Sequence, residues 1–358
     1  MKIAIDLSQV VYGTGVSHYQ ENLVRALLKV DKENQYLLYG GSLRRKEELR
    51  SLIGSLSQSL ASTKVFPVSP MMGDFIWNKL HILPIEWLIG KVDVLHSSDW
   101  TQPPSKAFKV TTIHDLAPLK FSRYTDPKIV SAHKARLNRV AKEVDRVIVP
   151  SIATKADLLE LGFDEAIIRV IPEAPNQSLV SRKEVEKVKR KHKIFGKYLL
   201  SVGVNPRKNT ERIIDAFHLA KSGESLKLVL VGHPNFIKIE EQRDIRILGH
   251  LESQEVSALY SGAEALLYPS LYEGFGAPIL DAFNCHCPVL TSNLSSMPEV
   301  AGNAAILVDP YSLDSIVEGI KKTLSSRKTL IKKGLAQVKK FSWEKTARET
   351  LGIYREAK

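Results

Sequence analysis

Two carboxylates, Glu273 and Asp281, stand eight positions apart around the run Tyr272-Glu273-Gly274-Phe275-Gly276-Ala277-Pro278. The apolar stretch Ala265-Leu266-Leu267-Tyr268 just before it reads as a buried strand, and Pro278 suits a first helical turn. Between strand and helix, Gly274 and Gly276 let a ligand come close to the backbone. Such a turn offers unpaired N–H groups and the positive end of a helix dipole, and both suit a diphosphate. Glu273 lies on the loop beside these donors, and Asp281 sits about one turn inside the helix. The arrangement points to a sugar-nucleotide ligand; the alternative for an E-G-F-G turn taken alone is a tight connection between strand and helix.

Three further segments place chemistry at strand ends. The expected strand Tyr198–Val204 runs into Asn205-Pro206-Arg207-Lys208-Asn209. There Arg207 can grip phosphate oxygens with its fork while Lys208 adds a compact charge. A solvent-exposed basic turn is the plainer reading. Thr111-Thr112-Ile113-His114-Asp115 ends another expected strand with a titratable pair; its histidine is suited either to a ligand or to a backbone bond. No nucleophile elbow accompanies the pair, so a Ser-His-Asp hydrolase does not follow. Gly13-Thr14-Gly15-Val16 comes between the first strand and a helical pattern, as a phosphate- or sugar-facing loop or as a flexible turn. His96-Ser97-Ser98, at one more strand end, is placed to shape an acceptor pocket.

Taken together these segments resemble the family 4 retaining glycosyltransferases. The Glu273 to Asp281 spacing is similar to that family's E-x7-E signature, with Asp281 where a second Glu is usual. Ser295-Ser296-Met297-Pro298-Glu299-Val300-Ala301-Gly302 resembles its S-x-x-P-E-x-x-G segment. The resemblance runs from Gly13 to Gly302. It implies the GT-B architecture: two Rossmann-like, doubly wound parallel-sheet α/β domains facing a cleft, with a C-terminal helix crossing back to the first. It also implies a catalytic set of Glu273, His114, Arg207 and Lys208. Glu273 faces the donor sugar, His114 reaches it, and the two cations hold the diphosphate. Many members carry that Arg directly after the strand glycine, where this chain has Val204, so Lys208 matches the pattern more closely than Arg207. Donor binding falls to Gly13, Gly15, Gly274, Phe275, Gly276 and Asp281, the last at the ribose hydroxyls. Gly13 and Gly15 are candidates for the acceptor side as well.

The implied reaction moves a hexose, with retention, from a nucleoside diphosphate sugar to a hydroxyl of a glycan or lipid-linked acceptor. Departing phosphate assists deprotonation of the acceptor. GDP-mannose is the first expectation, and UDP-glucose or another nucleotide sugar the alternative. No cofactor beyond the donor and no metal is expected, since Arg207, Lys208 and the turn backbone meet the diphosphate and no D-x-D motif is present. A basic nucleic-acid-binding protein is the alternative from a different class, but no stacking aromatic set or nucleic-acid motif supports it, and no nucleic acid is expected as a partner.

At 358 residues and 44% hydrophobic, the chain has material for two cores. Alternating apolar runs and helical patterns predict strands at 2–7, 36–39, 92–96, 109–113 and 146–149, then at 198–203, 226–232, 245–248, 265–268, 288–292 and 305–308. Helical patterns cover 17–30 and 126–143. The twin prolines of Val170-Ile171-Pro172-Glu173-Ala174-Pro175 mark a boundary. The expected domains are 1–172, an acceptor-side domain joined by the helix 342–358, and 173–341, a nucleotide-sugar domain.

No secretory signal or membrane-spanning stretch is evident. Cys285 and Cys287 are too close for an ordinary disulfide and imply a reducing compartment. Cys285-His286-Cys287 does not converge on one ion and reads as core. The net charge of +12 concentrates around Arg44–Lys46, Arg182–Lys193 and Lys321–Lys340. It fits solvated helix faces or an anionic partner such as acidic phospholipid. The apolar stripe from Ile76 to Leu88 reads first as helix core, and second as a surface near the acceptor, where with the basic face around Lys134 it would touch a membrane peripherally. The expected location is the cytoplasm, including the inner face of the cell membrane.

Overall fold

The computed structural model describes residues 1–57, 61–221, 226–240 and 242–357. The chain divides into two compact units, Met1–Glu173 with Ser342–Lys358, and Ala174–Phe341.

The first unit is built on seven strands: β1 (Lys2–Asp6), β2 (Gln35–Gly41), β3 (Ala61–Phe66), β4 (Val94–Ser97), β5 (Phe108–Thr112), β6 (Arg146–Val149) and β7 (Ile168–Val170). They lie parallel in the order β3-β2-β1-β4-β5-β6-β7. The order reverses direction between β1 and β4, where Ile5 sits opposite His96, and that switch point is where open α/β sheets bind ligands. Ile3, Ile5, Val94, Val110 and Ile148 form the middle of the core, as expected of strands buried on both faces. The helix Trp343–Tyr354 packs beside the helix Gly15–Val30, and Ala347, Leu351 and Tyr354 join that same core. A bond of 2.6 Å between Tyr354 OH and His96 Nδ1 ties the chain's last helix to β4.

Unit two carries six parallel strands: β8 (Lys197–Val202), β9 (Leu226–Val231), β10 (Ile245–Leu248), β11 (Ala265–Tyr268), β12 (Val289–Ser292) and β13 (Ile306–Val308), in the order β10-β9-β8-β11-β12-β13. Its switch point lies between β8 and β11. Both expected doubly wound sheets are present.

Two strands escape the sequence pattern. β3 is an edge strand with three consecutive exposed residues, Ser62, Thr63 and Lys64, so it shows no apolar run. β7, the opposite edge, is three residues long. The stripe from Ile76 to Leu88 also differs from a core helix. His81 and Leu83 take left-handed backbone angles (φ 56° and 59°), which end the helical turn and break the stripe. Trp77 is buried with Ile85 and Ile89, whereas Leu80, Leu83, Trp87 and Leu88 are exposed.

Candidate functional site

In the second unit β8 and β11 are neighbours, with Leu200 opposite Leu266. Arg207 and Glu273 each lie seven residues past those paired positions, so the two turns emerge side by side at the same end of the sheet. Arg207 Nη1 stands 2.9 Å from Glu273 Oε2, and Lys208 Nζ stands 2.7 Å from Glu273 Oε1. Glu273 is buried, and burial alone would raise its pKa. The Arg207 and Lys208 charges reverse this and hold the carboxyl at about 2.

The cations are fixed by local geometry. Asn205 Oδ1 accepts from Lys208 N at 3.0 Å, and Asn209 closes the turn in the left-handed region (φ 62°) while donating to the carbonyls of Pro269 and Pro310. Arg207 Nη1 donates to Tyr272 O at 2.8 Å. Lys208 Nζ donates to Tyr268 OH and lies 4.5 Å from the centre of that ring. Gly203 makes room for the lysine: a Cβ there would come 3.0 Å from Lys208 Cγ and Cε, at a φ of 86° that already favours glycine.

The glycine turn is pinned from beneath. Ser295 Oγ and Ser296 Oγ donate to Glu273 O at 2.6 and 2.9 Å, and Ser296 Oγ also reaches Phe275 O at 2.7 Å. The Phe275 ring points into the core against Phe341, so the turn offers this residue's backbone and not its side chain. Gly276 adopts φ 98° as the cap of the helix Ala277–Asn284. Asp281 is buried in that helix, and its Oδ1 accepts from Asn176 N at 2.6 Å and Gln177 N at 3.0 Å. The structure therefore brings Glu273, Arg207 and Lys208 together, with Gly274 and Gly276 beside them, and gives Asp281 a backbone-holding task that its spacing did not reveal.

In the first unit His114 follows β5. Its Nδ1 lies 3.2 Å from Glu173 Oε1, and its ring meets Tyr19 edge-on at 4.5 Å. Burial pushes the imidazole down, but the bond and charge of Glu173, aided by Asp99 and Asp115, hold it above the ordinary histidine value. Asp115 caps its own loop, accepting from Ala117 N at 2.8 Å. His96 behaves oppositely. Enclosed between Tyr354 and Thr112, it is lowered to about 3 by burial first and by the His114 and Arg136 charges next. Gly13 closes a short turn with φ 62°, Gly15 opens the helix Gly15–Val30, and Thr14 caps that helix in a reciprocal box with Ser17. Among the described residues, no group of three or more His, Cys, Asp or Glu is placed to hold a metal ion. Cys285 and Cys287 are buried free thiols, and burial raises both; Cys285 reaches about 12.

A family model described as glycosyl transferases group 1 matches residues 183–336, and the model of Glycosyltransferase Family 4 matches residues 13–175. The chain belongs to these glycosyltransferases. It is similar to the O-antigen chain mannosyltransferase B of Escherichia coli, 26% identical over an alignment of 380 positions that spans 99% of this chain and 100% of that protein. Among solved structures it is similar in fold to sucrose-phosphate synthase from Thermosynechococcus elongatus (TM-score 0.73, 17% identity, 99% and 98% of the two chains). The Anabaena protein HepE, solved in complex with UDP-glucose, also has a TM-score of 0.73 (14% identity, 99% and 100% of the chains).

Sequence reading overlooked three parts of this glycosyltransferase. Glu173 was legible only as a linker residue after Pro172, yet it is buried against His114. Arg136 is hidden among the lysines and arginines of the helix Pro127–Glu143 but is wholly buried, 3.2 Å from Asp99 and 2.6 Å from Thr111 Oγ1. Tyr268, read as a strand residue, is the partner of Lys208.

Proposed function

We propose that this glycosyltransferase moves a mannosyl residue from GDP-mannose to a hydroxyl of a glycan or lipid-linked acceptor, with retention at the anomeric carbon. The observation that carries the reading is Glu273 held between Arg207 and Lys208. Of these three groups two are cations and one an anion, so the cluster favours a diphosphate that arrives beside the Gly274–Gly276 backbone. A carboxyl at about 2 is ionised at neutral pH. It cannot serve as a general acid; it can accept hydrogen bonds from sugar hydroxyls and favour positive charge at the anomeric carbon.

As the glycosidic bond breaks, Arg207 and Lys208 take up the charge gathering on the leaving diphosphate. The leaving phosphate oxygen then receives the acceptor's hydroxyl proton on the face it departs from. This route needs no second carboxylate, and Asp281, engaged with the 176–177 backbone, is not arranged as one. Arg207 and Lys208 supply the charge compensation that a divalent metal would otherwise give. The similarity to a mannosyltransferase along the whole chain supports mannose as the sugar.

No helix among the described residues is long and apolar enough to cross a membrane. Peripheral contact with an anionic membrane, at the inner face of the cytoplasmic membrane, is supported by one stretch of the first unit. Met71, Phe75 and Trp87 are 74%, 55% and 76% exposed there. The neighbouring helix Pro127–Glu143 adds exposed Lys128, Lys134 and Lys142. Sedimentation with anionic vesicles that weakens in Phe75→Ser/Trp87→Ser is the expected result; equal sedimentation of the variant excludes this face.

The test of function is calorimetry with GDP, UDP, GDP-mannose and UDP-glucose in chelator-containing buffer, followed by NMR of the product's anomeric configuration. Micromolar binding of guanine nucleotides, lost in Lys208→Ala, and an α-linked product are expected. Uracil preference replaces the donor by UDP-glucose or a related sugar. An inverted product overturns retention, and absence of binding to all four overturns the donor site.

A further inference from the structure

The second unit concentrates its positive charge in two segments. Residues 182–197 carry eight Lys or Arg against two Glu, and residues 321–340 carry eight with no Asp or Glu. The stretch between them, 198–320, has eight basic residues against fifteen acidic ones, so the unit is strongly polarised. Its basic pole is not the cluster around Glu273, which lies in the acidic stretch.

Folding brings the two segments to one end of the sheet. The helix Arg182–Lys191 precedes β8, and its Val185 packs on Gly262, where an added Cβ would meet the valine at 2.6 Å. Directly after that glycine, the carbonyls of Ala263 and Glu264 accept from Nη1 of Arg327, the first residue of the helix Arg327–Val338. Glu264 N in turn donates to Tyr198 O at 2.8 Å. These contacts lie at the amino ends of β8 and β11, opposite the carboxyl ends that lead to Arg207, Lys208 and Glu273.

The helices themselves gain nothing from this charge. Lys183 and Lys187, like Lys328 and Lys332, are like-charge pairs at i,i+4. Arg327 and Lys328 stand in a first turn with no acidic residue, where the helix dipole disfavours cations. Ion pairs join Lys189 to Glu186, Lys191 to Glu255 and Arg327 to Glu264. They leave Lys183, Lys187, Lys193, Lys328, Lys332 and Lys333 exposed and without a carboxylate partner among the described residues.

Between Lys193 and Lys197, Phe195 is 67% exposed while its neighbour Ile194 is buried. Positive φ at Lys193 (53°) and Gly196 (86°) turns the chain around it. An aromatic ring at the tip of a turn, set among lysines, suits a lipid headgroup layer: the ring enters and the ammonium groups meet phosphates. Val185 and Val188, the apolar face of the first helix, are buried, so that helix would lie on the layer and not insert. Phe195 is the only Phe, Tyr or Trp of the two segments, too few to stack a run of bases.

We propose that this basic pole of the second unit docks on an anionic lipid surface, with its lysines on headgroup phosphates and Phe195 between them. The contact is additional to the Phe75 and Trp87 stretch of the first unit. It does not depend on the sugar or nucleotide assigned above, and it leaves the turns at the carboxyl ends of β8 and β11 uncovered.

Sedimentation of the full-length protein with phosphatidylcholine vesicles, with and without phosphatidylglycerol, tests this. Binding is expected to require phosphatidylglycerol and to weaken with salt. Lys183→Gln/Lys187→Gln/Lys328→Gln/Lys332→Gln should lower the partition coefficient by roughly tenfold or more, and Phe195→Ser by a smaller factor. Nucleotide affinity should be unchanged in both variants, since neither touches the Glu273 cluster, and this reports an intact fold. Equal partition with and without phosphatidylglycerol, or equal partition of the lysine variant, overturns the proposal. Partition lost in Phe75→Ser/Trp87→Ser and kept by the lysine variant assigns the contact to the first unit alone and overturns it too. So does an RNA homopolymer that binds more tightly than the vesicles and loses that affinity in the lysine variant, which would assign the pole to nucleic acid. Nucleotide binding without phosphatidylglycerol-dependent partition removes this inference alone, and the reverse result removes the donor site alone.

Discussion

The switch points of the two sheets occupy equivalent places in similar folds and carry opposite chemistry. In the second unit the ends of β8 and β11 gather Arg207, Lys208 and Glu273, a buried cluster of full charges. In the first, the ends of β1 and β4 surround a cavity without a charged lining residue, and the charges nearby are spent on neighbours: Asp6 on two serines, Arg136 on Asp99 and His114 on Glu173. The same scaffold thus gathers full charges at the strand ends of one unit and leaves an uncharged lining in the other. The difference lies in whether the strand-end turns themselves carry the charged side chains or the charges sit on residues paired away from the cavity.

The sharpest way to break this comparison is to remove a charge from the second unit. Lys208→Ala is expected to lower kcat/KM by about 10²–10³-fold, the usual cost of one preorganised group facing a leaving anion, or about 2.7–4 kcal/mol. Glu273→Gln should lose turnover comparably while keeping nucleotide affinity, because both cations remain; steady-state kinetics set beside calorimetry will show the split. A fall in affinity as large as the fall in rate would mean that Glu273 merely orders the cations.

Asp281→Ala comes next. Two backbone N–H groups lose their acceptor, so about 1–3 kcal/mol of stability should go, read as a lower urea midpoint. If nucleotide affinity also falls more than tenfold at temperatures where the variant is folded, Asp281 holds ribose as well as backbone.

The units should also differ in their response to pH. Glu273 is depressed in the folded state, so the stability it contributes is present above its unfolded value near 4.5 and is lost as pH falls towards 2. His114 is raised, so its contribution is complete below the ordinary histidine value of 6.5 and disappears as pH climbs through the folded value. His96, at about 3, binds no proton when folded over most of the range from 6.5 to 3 and therefore costs stability as acid is added. Imidazole NMR should find His114 titrating above 6.5 and moving down in Glu173→Gln, while His96 stays neutral. A His114 that titrates identically in that variant would remove Glu173 from the site.

The smallest effect separates the two glycines of the first loop. A Cβ on Gly15 meets nothing within 4 Å, so Gly15→Ala should stabilise the unit by about 0.4–1 kcal/mol. Gly13, at φ 62°, should tolerate the same change poorly. Lost activity in a stabilised Gly15→Ala protein would show that a ligand approaches the backbone there.

The second unit was far more legible than the first. All six of its strands fall where the apolar alternation predicts them, and Arg207, Lys208 and Glu273 lie in the turns that follow β8 and β11. In the first unit the edge strands β3 and β7 were invisible because one carries exposed polar side chains and the other is three residues long. Glu173 and Arg136 were equally hidden, since burial of a charge is a property of surroundings and leaves no mark in local composition.

By itself the sequence determined the alternation that makes two parallel α/β sheets, the glycines and prolines that shape the strand-end turns, and the residue types at those turns. These depend on local propensity and periodicity, which a linear chain carries in full. Tertiary structure decided the rest. The register of β8 against β11 put Arg207 and Lys208 on Glu273; helix packing left Arg136 without solvent; the broken turn at His81 exposed Trp87 while burying Trp77. Each of these depends on which distant segments meet, and so do the ionisation of Glu273 and the neutrality of the first unit's cavity, because desolvation and partner charges set both.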